Sequence, residues 1–182
     1  MNFVPAAKPM KVILWLALLI PNILVDLLAF PLAPLIALFD ESTAHKWFSW
    51  FLTPDNPMTG DVGHELRWIG KPTYIKKVAW LWRNRAYGFT STVLRARSNG
   101  PVTIQGNPKI GNRPFVPGLV IRTTPEGYWQ FYYIKRSFRD RCLRVNLGWK
   151  LWGPNQPWMY VCSINPLMGS APAVKPMGTS LT

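Results

Sequence analysis

At 182 residues the chain has room for one folded domain and an appendage. Its 21 Lys and Arg against 8 Asp and Glu, net +13, call for an anionic neighbour, either lipid headgroups or nucleic acid. Two cysteines, Cys142 and Cys162, exclude a disulfide framework and have no metal-ligand spacing, so free thiols in a reducing compartment are expected.

The first element is Val12 to Phe39, 28 residues with the single charge Asp26. A bilayer core needs about 20 apolar residues in a helix. Three readings compete. A cleaved signal peptide would use Lys8 and Lys11 as its basic start, but the run is too long and no small-residue cleavage site ends it. A transmembrane helix would be kinked by Pro21, Pro31 and Pro34 and would hold Asp26 near its middle. A carboxylate there is costly and faces a partner, which implies an oligomer or a helix-binding partner. A re-entrant hairpin would break at Pro21-Asn22 into Val12–Ile20 and Ile23–Phe39. The spanning reading is preferred over the re-entrant one. Trp15 suits a membrane interface. Lys8 and Lys11 favour a cytoplasmic N-terminus, whereas 19 Lys and Arg against 5 acidic residues after Ser42 favour a cytoplasmic C-terminal domain. A re-entrant segment satisfies both.

A connector over 42–71 follows. Trp47, Trp50 and Phe51 fall on one face if helical, and are expected either as an interfacial aromatic belt or as packing on the domain. Thr53–His64 is rich in Pro, Gly, Asp and Asn and reads as a loop. Asp55, Asn56, Asp61, His64 and Glu65 cluster there without the calcium-loop spacing. Turn-making and capping are the expected roles, and no metal site is assigned.

Pro72 suits the first turn of a helix. Tyr74, Ile75, Val78, Leu81 and Trp82 form its apolar stripe, Lys76, Lys77 and Arg83 its basic one, and Gly88 its expected end. Such a helix fits a membrane interface, or a surface helix covering a sheet. The strings LTPDNPMTGD and VAWLWRNRAYGF, in that order, resemble a family of small proteins of unknown function encoded by tailed bacteriophages (Caudoviricetes). Those proteins carry an N-terminal apolar segment, a TPDNP-type loop and a WLWRN-x-AYGF-type signature. The resemblance covers Trp50 to Phe89 and transfers no catalytic residue. It implies a viral accessory protein working in a bacterial cell.

Beyond Gly88 the texture turns β-rich. Thr90–Arg97 is expected as a first strand. PGLVIRTT and YWQFYYIKRSF form a hairpin about Thr124-Pro125-Glu126-Gly127. In RCLRVNLGWKLW, Leu143, Val145, Leu147, Trp149 and Leu151 point to the core, and Cys142, Arg144, Asn146 and Lys150 to solvent. WMYVCSI returns after a GPNQP turn, and the residues after Met168 read as a flexible tail. The fold class is therefore α+β: an N-terminal transmembrane or re-entrant helix over 1–41, and over 72–167 a small antiparallel sheet with one packed amphipathic helix. Arg122, Arg136, Arg139, Arg141, Arg144 and Lys150, interleaved with Tyr132 and Tyr133, are expected on the solvent face. With Lys76, Lys77 and Arg83 they would grip an anionic surface, lipid or single-stranded nucleic acid.

No Ser-His-Asp or Cys-His grouping and no phosphate-binding glycine loop occurs, so an enzyme is not expected, and no cofactor is assigned. The expectation is a membrane-anchored, phage-encoded protein acting by binding at the host inner membrane. Membrane lipid is its first partner, with a host or phage membrane protein bound through the N-terminal helix and a homo-oligomer also envisaged. A virion component and a tethered nucleic-acid module stand as alternatives.

Overall fold

The computed structural model describes residues 8–98, 100–110, 116–136, 141–151 and 158–169. Arg139, the GPNQP turn and the tail beyond Gly169 lie outside them. The chain forms two compact units. One comprises Ile13–Ala96 with Pro157–Tyr160, and the other Met1–Val12, Arg97–Gln156 and Val161–Thr182.

The first of these units is helical. Helix α1 (Pro9–Ile36) is continuous, so the break that a re-entrant hairpin would need at Pro21-Asn22 is absent. A proline inside a helix removes one backbone hydrogen bond and strains the turn before it. An uninterrupted apolar segment absorbs that cost where the freed carbonyl finds another donor. Helix α2 (Glu41–Phe48) starts at Asp40, whose side chain accepts from the Thr43 N–H. A 3₁₀ turn (Ser49–Phe51) follows, then α3 (Val62–Arg67), capped by Asp61, α4 (Thr73–Arg83) and α5 (Tyr87–Thr92). Val78 and Leu81 of α4 share one buried cluster with Ala33, Ile36 and Ala37, Ala44 of α2, and Leu52 and Met58. The amphipathic stripe thus covers the end of α1 and the connector, a partner that the sequence reading did not foresee.

Two expectations here are corrected. Helix α4 ends at Asn84, whose side-chain amide donates to the Trp80 carbonyl, and the chain turns through Ala86 at φ 53. Gly88 therefore lies inside α5 instead of ending α4. Thr90–Thr92 is helical, not a strand: Thr90 N–H donates to the Ala86 carbonyl, and the Thr90 hydroxyl to the Tyr87 carbonyl. Of the expected strand, Ala96 forms an isolated bridge with Trp158. Tertiary packing overrides the β propensity of a short Thr-rich run.

The second unit is a five-stranded antiparallel meander, β1 (Thr103–Gly106), β2 (Gly118–Thr123), β3 (Trp129–Arg136), β4 (Arg141–Trp149) and β5 (Tyr160–Gly169), in the order 1-2-3-4-5. The Thr124–Gly127 turn is as expected, with the Gly127 N–H donating to the Thr124 carbonyl. The polarity of the faces is reversed. Val120 pairs with Tyr132 and Tyr132 with Asn146, and all three are buried, together with Ile110, Ile134 and Cys142. Leu143, Val145 and Leu147 on the opposite face are half-exposed. Gly148, at φ 100, interrupts the alternation and leaves Trp149 buried beside it.

The reversal has a chemical reason. The side chains on the buried face satisfy one another. Arg122 donates from Nη1 to Gln130 Oε1 at 3.2 Å and from Nη2 to the Ile110 carbonyl at 2.8 Å. Gln130 Nε2 donates to Asn146 Oδ1 at 2.9 Å. Buried polar groups are tolerated when they are paired in this way. Burial pushes the Arg122 guanidinium below its usual range and the Tyr132 phenol above its own.

Candidate functional site

The two strings that stood out in the sequence fold into one device. In the TPDNP loop, the Thr53 hydroxyl donates to the Asn56 carbonyl and accepts from the Trp80 indole N–H, both at 3.0 Å. Glu41 reaches over from α2 and accepts from the Met58 N–H at 3.0 and 3.1 Å. Gly60 lies under Trp80 and His64, where an added Cβ would meet either ring at 2.7 Å. His64 is buried and donates from Nε2 to the Lys76 carbonyl. At Gly88 an added Cβ would fall 1.8 Å from the Ser49 carbonyl oxygen. Phe89 packs on Trp50, with ring centroids 5.0 Å apart.

The remaining residues of WLWRNRAYGF hold α1. Pro34 has no N–H to offer the Phe30 carbonyl one turn earlier. The Trp82 indole N–H donates to that carbonyl at 2.9 Å, and its ring stacks on Phe30 at 5.2 Å. Arg85 Nε lies 3.2 Å from both carboxylate oxygens of Asp26. Lys77 Nζ donates to the Phe39 carbonyl at 2.8 Å, just past the helix end. Asp26 thus meets a charged side chain of its own chain. Arg85 and the indole of Trp82 are the residues that sequence reasoning missed. A proline four residues after Phe30 was the available signal for the latter.

The packing gives α1 two unlike faces. Val25, Ala29, Ala33 and Ile36 are buried. Ile13, Leu16, Ile20, Leu24, Leu27 and Leu35 are exposed. The helix is long and apolar enough to cross a membrane.

The other expected site residues are dispersed. Trp15 is buried, stacked on Tyr160, whose hydroxyl donates to the Trp15 carbonyl. Trp47 is 70% exposed, with Lys46 over its ring, and Trp50 is exposed, but Phe51 turns into the core. The change to a 3₁₀ turn after Phe48 divides the three aromatics expected on one face. Asp40 accepts from the Ser42 hydroxyl and from Thr43, bonds that hold its carboxyl well below the usual range. Arg83 lies over Trp80 and 3.9 Å from Asp61. Lys76 is partly buried. Arg136 and Arg141 are exposed, Arg144 and Lys150 half-buried. Arg122 and Tyr132, expected at the surface, are inside. Among the described residues no three of His, Cys, Asp and Glu come together.

No curated protein and no solved structure matches the chain. A family match spans nearly all of it, including α1, α4 and the sheet. Over residues 7–172 the chain belongs to a family of unknown function, DUF7338.

Proposed function

We propose that the protein is a membrane-anchored accessory protein of a tailed bacteriophage, without enzymatic activity, that works by binding at the host inner membrane. Modification of the envelope, exclusion of other phages and support of lysis are the tasks that suit such an anchor. The observation that carries the reading is the exposed apolar face of α1, a continuous row of Leu and Ile too large for a solvent-facing helix. The excess of basic residues supports contact with an anionic leaflet and a cytoplasmic domain. The viral origin rests on the TPDNP and WLWRN-x-AYGF strings. Burial of Tyr132 removes a stacking aromatic from the nucleic-acid platform, which supports lipid as the anionic partner.

Fractionation of bacteria expressing the full chain tests this. Recovery in the membrane pellet, released by detergent and not by carbonate, is the expected result. Recovery in the soluble fraction without detergent would refute the anchor.

A further inference from the structure

Resting on that reading, we infer that α1 lies in the plane of one leaflet, as a monotopic anchor with both ends on the same side, and does not span the bilayer. The reason is what accompanies the helix. From Lys77 at Phe39, through Trp82 at Phe30, to Arg85 at Asp26, α4 and the turn after it run antiparallel along α1. The helical part of this stretch, Asp26 to Ile36, corresponds to roughly 15 Å at 1.5 Å per residue. That is about half of a hydrocarbon core of about 30 Å.

Were α1 to span, this companion would enter the core with it. The Asp26 and Arg85 side chains retain 38% and 39% of their exposure, and Arg83 retains 47%. Near the midpoint of a spanning α1 these charges would face hydrocarbon. The non-helical backbone at Asn84–Ala86 would do the same, and irregular backbone at that depth is tolerated only when shielded. Residues 9–25, ahead of Asp26, give about 25 Å of helix, short of a hydrocarbon core of about 30 Å.

An in-plane placement removes each conflict. The outward row from Ile13 to Leu35 enters the acyl region along its whole length, as in an interfacial helix. Val25, Ala29, Ala33 and Ile36 stay against the protein, and Asp26, Arg85 and Arg83 remain at headgroup level. The occupant is the anionic face of a bilayer, matched by the net charge of +13.

The test uses the full chain with Cys142 and Cys162 replaced by serine, in vesicles of phosphatidylethanolamine and phosphatidylglycerol. Lys8→Cys and Ser42→Cys are probed with a membrane-impermeant maleimide added outside. Both are expected to react, or both to be protected, together in any one vesicle orientation. Fluorophores at Ile13→Cys, Leu24→Cys and Leu35→Cys are expected at one shallow depth, within about 10 Å of the headgroup boundary, by quenching with brominated lipids. Labelling of the two ends from opposite sides, with Leu24→Cys deepest at about 15 Å, overturns the inference and leaves the membrane anchor standing. Failure to float with vesicles, as when a second copy covers the same face, overturns both.

Discussion

Residues that look ordinary in a string can be fixed by neighbours far away in sequence. Gly88 reads as a helix terminator, yet its lack of a side chain serves the approach of α5 to the Ser49 and Leu52 carbonyls. No local pattern announces this, because the contact lies some forty positions upstream. Gly88→Ala is expected to cost about 3 kcal/mol or more, since backbone rather than a flexible side chain must yield. Gly63→Ala, whose Cβ would meet nothing closer than Asp61 Oδ1 at 3.5 Å, is the control and should be neutral or slightly stabilising. Thermal melts of the detergent-solubilised proteins compare the two. Arg122 teaches the same lesson. A basic residue alternating with apolar ones reads as solvent-facing, and only the register with Gln130 and Asn146 shows how it is satisfied inside.

At the scale of elements, the sequence disclosed whatever local periodicity and turn chemistry control. The extent of α1, the Thr124–Gly127 hairpin and the return of β4 and β5 were legible for that reason. The face that β4 buries was not, because hydropathy ranks side chains singly and ignores their mutual hydrogen bonds. Helix α5 was misread because its threonines bond back to their own turn instead of extending. The union of α4 with α1 had only indirect signals in Asp26 and Pro34. The Trp82 indole replaces the donor that Pro34 lacks, so the two positions should be coupled. Trp82→Phe keeps the ring on Phe30 but leaves its carbonyl unpaired, at an expected cost of about 1–2 kcal/mol. In a Pro34→Ala background the restored backbone N–H should remove most of that cost. A double-mutant cycle measured by denaturant unfolding in detergent gives the coupling, and strict additivity would refute the capping role.

For the whole molecule, charge and apolar surface act over different ranges. Screening shortens from about 10 Å at 0.1 M salt to about 3 Å at 1 M. Binding to phosphatidylglycerol vesicles should therefore weaken across that interval, while retention through α1 persists. Flotation at both salts, repeated with Leu24→Glu and Leu27→Glu together, separates the contributions: the double variant should lose binding at high salt first. The ion pair between Asp26 and Arg85 joins residues 59 positions apart. During synthesis at about 5–20 residues per second, α1, which ends at Ile36, is therefore complete roughly 2–10 s before Arg85 exists. Throughout that interval a nascent apolar helix with an unmatched carboxylate is on offer to the cell's insertion and chaperone machinery. The order of translation thus becomes part of how the protein reaches its final topology.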